Sequence, residues 1–153
     1  MTHEHRGDLD EAGVTALGLR LGGALAPGDV LALVGPLGAG KSALARAVLY
    51  GAGLDPRARV ASPTFTLVQE HPARFLVHHA DVYRLTHPRD LDEVGLLERD
   101  DVATIIEWAD RFPEVIPADA LWVELAVTDE FTRAVRLWGE GLRAARLIDA
   151  ASR

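Results

Sequence analysis

The side chains of this chain whose types and setting can do chemistry are a Lys-Ser pair, Lys41-Ser42, closing a glycine-rich stretch, and two acids, Asp81 and Glu107, each ending an apolar run. Within VLALVGPLGAGKS, Gly35, Gly38, Gly40, Lys41 and Ser42 fit the pattern G-x-x-x-x-G-K-[ST]. That spacing is what a phosphate cradle needs. Glycines permit backbone conformations that aim successive N–H groups inward at phosphate oxygens, and the helix that follows adds the positive end of its dipole. Lys41 would reach the β- and γ-phosphates of a nucleoside triphosphate, and Ser42 would give its hydroxyl to Mg²⁺, a cation that takes oxygen ligands.

The two acids suit the same chemistry. RFLVHHAD ends at Asp81 and VATIIEW carries Glu107 beside Trp108. Both acids therefore reach the strand edge where α/β sheets bind ligands. An acid opposite Ser42 is needed to hold a Mg²⁺ water, and a second can orient the attacking water; both positions qualify for either task. Trp108 reads as a packing residue that can also border a nucleotide pocket. His79 shares a strand face with Asp81, while His78 points the other way. A hydrogen-bonded strand-end histidine is the ordinary reading of His79, and metal ligation with Asp81 is the alternative. In VASPTFT, Ser62, Thr64 and Thr66 flank Pro63; the loop reads as a Ser/Thr turn or as a switch ordered by γ-phosphate and Mg²⁺. Asp92-Glu93-Val94-Gly95 fits the D-x-x-G of GTPases, but polar THPRD precedes it where an apolar strand should stand, and no N-K-x-D occurs. Guanine is not the predicted base.

These residues need elements to hold them. Val30 to Val34 reads as a buried parallel strand and LARAVLY as the helix after the loop. Ahead of them, Val14, Leu17, Leu21 and Leu25 recur at helical spacing between Asp10 and Leu25, with Asp8 or Asp10 as cap. TLVQEH and RFLVHHAD, separated by Pro72-Ala73, form an antiparallel hairpin, and THPRDLDEVG (86–95) a short helix. ALWVELAV is a strand, TRAVRLWG an edge strand, and Leu142 to Ala150 a final helix. The class is α/β: a P-loop NTPase-like three-layer sandwich with a mixed, mainly parallel central sheet and an antiparallel hairpin. Residues 1–153 are one domain, with 1–7 frayed and 142–153 the C-terminal helix region.

Composition narrows the partners. A net charge of −7 argues against autonomous nucleic-acid binding, and the absence of cysteine excludes disulfides, thiolate nucleophiles and Cys-based zinc sites. The polar, acidic start MTHEHRGDLDE is no signal peptide and no apolar stretch spans a membrane, so the expected location is cytoplasmic. Arg133, Arg136, Arg143 and Arg146 are the one concentration of positive charge, read as a solvated surface.

LGAGKS, SPTFT, HHADVYRL, LDEVGL and IIEW, in this order and spacing, resemble the TsaE (YjeE) family, from about Thr15 to about Val127. That family is the ATPase component of the bacterial machinery for threonylcarbamoyladenosine at position 37 of tRNAs reading codons that begin with A. The resemblance implies ATP and Mg²⁺ as ligands. It implies that Gly35, Leu37, Gly38, Ala39, Gly40, Lys41, Ser42 and Ala43 form the cradle, and that Thr64 belongs to a switch-like loop. Asp81 and Glu107 are then the functional acids, Lys41 acts with them in catalysis, Thr15 lies near base or ribose, and Trp108 lies near the active site. Pro36 stands where the family commonly has Asp, and Ala43 where a second Thr or Ser often follows the Mg²⁺ ligand. The implied partners are the proteins TsaD and TsaB, which would hold the tRNA that this acidic chain does not. A small nucleoside or nucleotide kinase is the alternative, although only Arg84, Arg89 and Arg99 could serve its lid; a nucleotide-holding module without turnover is a third. No arginine stands out as a finger, since Arg84 belongs to HADVYR and the C-terminal arginines lie far along the chain. Strand-end acids are expected to contribute little to the core.

Overall fold

All five residues of VLALV are buried, and their side chains alternate between two cores: Leu31 and Leu33 enter one, Val30, Ala32 and Val34 the other. Two-sided burial is what makes the run continuously apolar. It is the central strand of the computed structural model, which describes residues 2–61, 67–93 and 95–153. The Ser62, Thr64 and Thr66 loop and Val94 lie outside the described residues. In chain order the elements are β1 (Thr2–Asp10), α1 (Glu11–Ala24), β2 (Val30–Val34), α2 (Lys41–Gly51), β3 (Val68–Pro72), β4 (Leu76–Asp81), α3 (Arg89–Glu93), β5 (Ala103–Glu107), β6 (Leu121–Val127), β7 (Thr132–Glu140) and α4 (Gly141–Ala151).

The strands form one sheet in the order β1-β7-β6-β2-β5-β4-β3. The pairs β6-β2, β2-β5 and β5-β4 are parallel, and β1-β7, β7-β6 and β3-β4 are antiparallel. Helices α1, α2 and α4 pack on the Leu31/Leu33 face, while α3 and two single 3-10 turns, Ala109–Arg111 and Pro113–Val115, pack on the other. The expected mixed sheet with a parallel centre and an antiparallel hairpin is therefore present.

Helix α1 begins as its sequence requires, with the Asp10 side chain accepting a 2.7 Å hydrogen bond from the Gly13 N–H. It then lies unusually close to α2. A Cβ on Gly18 would meet that of Ala47 at 2.4 Å, one on Gly22 the Val48 carbonyl oxygen at 2.1 Å, and one on Gly51 the Leu19 carbonyl oxygen at 2.4 Å. Glycines at these positions let the backbones touch, which brings Thr15 beside the start of α2.

Two expectations are corrected. Residues 2–7 belong to β1, which pairs with β7 from Thr2↔Glu140 to Asp10↔Thr132. Consequently β7 is not an edge strand. The side chains of β1 are mostly exposed, so its backbone ladder holds it and no apolar periodicity announces it.

The arginines are the second correction, because they are structural partners rather than a solvated surface. Arg143 and Arg146 of α4 reach Asp29, at the entrance to β2, with N–O distances of 2.9 and 2.6 Å. Asp29 has no exposed surface, and its Oδ2 also accepts from the Ala26 N–H. Arg136 pairs with Glu4 of β1 and stacks 4.3 Å from the Trp138 ring centroid. Removing one partner of a buried ion pair strands the other charge, at about 3–5 kcal/mol. The guanidinium groups here are partly exposed, so the lower end applies. Asp29→Ala is expected to cost about 3 kcal/mol, or roughly 10 °C of melting temperature, measured by thermal denaturation, with nucleotide affinity preserved below the transition.

Candidate functional site

The parallel strands β2, β5 and β4 all end at the same edge, where Val34 leads into the glycine loop and Glu107 and Asp81 face each other as register partners. The loop has the backbone its glycines allow, with φ of +147° at Gly35, +81° at Gly38 and +102° at Gly40. At Gly35 space is also decisive, since a Cβ there would meet the Leu125 carbonyl oxygen at 2.4 Å. Gly40, in the left-handed conformation, precedes the first residue of α2. The free N–H groups of that helix start therefore sit at the loop, which is the arrangement that binds anions.

Lys41 is buried, and its Nζ donates to the carbonyl oxygens of Gly35 at 2.6 Å and Pro36 at 3.0 Å. The ammonium also lies 3.9 Å from the centroid of the Trp108 ring, an attraction of about 1–2 kcal/mol in a desolvated setting. Burial pushes its pKa below the usual lysine value, while the charges of Glu107, Asp81 and Asp110 oppose that shift. Trp108 holds its ring there from a left-handed backbone, φ +62°. A bulky residue seldom adopts that conformation without a constraint from its surroundings. Tyr83 packs against the same ring at a centroid distance of 4.8 Å.

The acids differ in how they are held. Glu107 is 2% exposed, accepts from Ser42 Oγ at 2.9 Å through Oε1, and meets His79 Nε2 at 2.6 Å through Oε2. Asp81 is 6% exposed and its Oδ1 accepts from the Tyr83 N–H at 2.9 Å. The expectation that both acids contribute little to the core is thus corrected for Glu107, which is the hydrogen-bond partner of the buried His79 ring and of the Ser42 hydroxyl. His79 is hydrogen-bonded at the strand end, the ordinary reading of its position. Its neighbour His78 faces away, 3.2 Å from Glu70.

Two cavities meet at Gly40 and Ala43. One, about 290 Å³, is bounded by Leu37, Gly38, Lys41, Ser42, Asp81, Glu107 and Trp108. The other, about 670 Å³, is lined by Thr15, Ala39, Arg133, Tyr50 and Phe131 among others, and its size suits a small ligand. The structure therefore brings together Thr15, Gly35, Leu37, Gly38, Ala39, Gly40, Lys41, Ser42, Ala43, Asp81, Glu107 and Trp108, all but Thr64 of the residues expected at the site. Ser42 and the two carboxylates offer hard oxygen donors, the kind Mg²⁺ takes.

Sequence reasoning missed Arg133. Its Nε donates to the Ala39 carbonyl at 3.1 Å, and its terminal nitrogens reach the carbonyls of Gly38, Asp129 and Thr132. It ties the loop to β7 across a long stretch of chain. Only the pairing of β7 with β6 could have signalled this.

The family model described as "Threonylcarbamoyl adenosine biosynthesis protein TsaE" matches residues 9–135. The chain belongs to the TsaE family. A relative from Mycobacterium leprae, named tRNA threonylcarbamoyladenosine biosynthesis protein TsaE, is 40% identical over 121 residues, covering 72% of this chain and 74% of its own. A relative of the same name from Bacillus subtilis is 32% identical over 130 residues, covering 83% and 80%. The crystal structure of Bacillus subtilis YdiB superposes with a TM-score of 0.80 at 26% identity, covering 100% of this chain and 97% of that one. TsaE membership agrees with the order of motifs from the glycine loop to IIEW, and it sets the small-kinase alternative aside.

Proposed function

We propose that this chain is the ATP-binding and hydrolysing component of the machinery that makes tRNA threonylcarbamoyladenosine, acting on partners of the TsaD and TsaB type. The observation that carries the ATPase reading is the convergence of Lys41, Ser42, Glu107 and Asp81 on one cavity beside the glycine loop. The names of its relatives support the pathway. The acidic charge of −7 supports an indirect role toward tRNA, held by the partners. No helix among the described residues is long and apolar enough to cross a membrane, which is compatible with the cytoplasmic location where such a pathway would work.

In this reading the triphosphate lies along the loop and α2 start, with its terminal phosphates competing for the Lys41 ammonium that the Gly35 and Pro36 carbonyls now hold. Base and ribose occupy the larger cavity, near Thr15 and Arg133. Ser42 and Glu107 take the metal side, because their side chains already meet, and Asp81 is left to orient the attacking water. Mg²⁺, when bound, supplies neutralisation of charge on the β- and γ-phosphates. Thr64 is assigned to the switch-like loop that senses the γ-phosphate.

ATP is expected to bind in preference to GTP by about tenfold or more, a difference of about 1.4 kcal/mol, since no guanine-reading motif exists. Calorimetric titration with both nucleotides checks this. Equal or tighter GTP binding would overturn the assignment of the base. Omission of the chain from a reconstituted system containing the transferase pair, tRNA and the threonylcarbamoyl donor should abolish sustained modification. Undiminished modification without it would overturn the pathway role.

A further inference from the structure

Among the described residues, His79 has one polar bond to offer a reason for being where it is. Its side chain is 1% exposed, and Nε2 lies 2.6 Å from Glu107 Oε2. The other ring nitrogen, Nδ1, is buried and has no hydrogen-bond partner among the described residues. A buried nitrogen without a partner costs free energy, so an apolar side chain would serve the core at least as well. What an apolar side chain cannot do is hold the carboxylate.

The two oxygens of Glu107 are divided, Oε2 to His79 and Oε1 to Ser42. The terminal torsion of a glutamate is broad and has no strong preference of its own. With the carboxylate ionised it can only accept, so the ring hydrogen belongs on Nε2. That single donor fixes the rotation of the carboxylate and leaves Oε1 facing the hydroxyl of the glycine loop. The register explains how β4 reaches β5: Asp81 sits opposite Glu107, and His79 sits two residues earlier on the same face. One strand thus delivers both an acid to the cavity and the group that orients its neighbour's acid.

We propose that His79 is a positioning residue that sets Glu107 for the cation of bound Mg-ATP, and so determines how strongly Mg²⁺ enhances nucleotide binding. This rests on the reading of the site as an Mg-ATP site. Outer partners that orient metal-side groups typically change metal affinity 10–100-fold when lost.

The test is calorimetric titration of the full chain with ATP over a series of Mg²⁺ concentrations and in excess EDTA, with melting curves alongside. His79→Leu and His79→Asn remove the donor at Nε2, the asparagine amide being too short to replace it, whereas His79→Gln places an amide N–H near that position. Expected are an Mg²⁺ midpoint raised about tenfold or more in the leucine and asparagine variants, unchanged affinity in EDTA, and return to within about threefold of wild type in the glutamine variant. Should leucine prevent folding, the contrast between asparagine and glutamine decides. A wild-type midpoint in the asparagine or leucine variants overturns the proposal, as does equal weakening with and without Mg²⁺, which would mark a packing role. A wild-type protein whose ATP affinity ignores Mg²⁺ overturns the Mg-ATP reading itself, and the proposal with it.

Discussion

Lys41→Ala is expected to weaken Mg-ATP binding by about 100-fold or more while moving the melting temperature by only about 2 °C. Hydrogen bonds to charged groups contribute about 1.5–3 kcal/mol each, and each 1.4 kcal/mol is tenfold in affinity. Two such bonds to terminal phosphates are enough for the loss. Stability should hardly change because the buried ammonium is already disfavoured by desolvation, the largest influence on its pKa. Its removal frees the Gly35 and Pro36 carbonyls but relieves that cost. Calorimetry and a melting curve on the same preparation check both halves. Unchanged affinity would take the phosphates away from the loop, and a large melting loss would make Lys41 a structural residue.

The parts of the molecule legible in the sequence are those determined by short-range pattern. Strand β2 showed itself as VLALV because both faces are buried, and α1 through Val14, Leu17, Leu21 and its Asp10 cap. Asp81 and Glu107 could be placed at a ligand edge because a strand ending in an acid is visible residue by residue, whereas their pairing across two parallel strands came only from the structure. What stayed hidden depends on contacts across the sheet. Strand β1 buries little side chain, so its residues 2–7 looked like a frayed start. Arg143 and Arg146 looked solvated because Asp29 is more than a hundred residues earlier in the chain. Arg133 was placed far from the loop it braces for the same reason. The left-handed backbone of Trp108, which turns its ring over Lys41, has no signature in residue type at all.

Hydrolysis by the chain alone is expected to be slow. A finger must bring uncommitted donors to the transferring phosphoryl group, and two arginines near the site, Arg133 and Arg111, have donors engaged by backbone carbonyls. Arg133 directs its donors to four backbone carbonyls. Arg111 donates to the Leu85 carbonyl at 2.8 Å and stacks near Tyr83. A charge supplied by a partner can raise turnover about 10³- to 10⁵-fold in P-loop enzymes. Asp81→Ala and Glu107→Ala should each reduce that stimulated turnover at least about 100-fold, a barrier increase of about 2.7 kcal/mol, with a smaller effect on ATP affinity at saturating Mg²⁺. Glu107→Ala carries an additional cost of about 2 kcal/mol in stability, because Ser42 and His79 lose their common partner, so Glu107→Gln is the cleaner kinetic variant.

Phosphate release, followed with and without the purified transferase pair, tests this account most directly. Expected are a low rate from the isolated chain, a rise of about 10³-fold or more when the pair is added, and loss of that rise in Asp81→Ala and Glu107→Gln. Fast hydrolysis by the isolated chain, indifferent to the pair and to both substitutions, would contradict it.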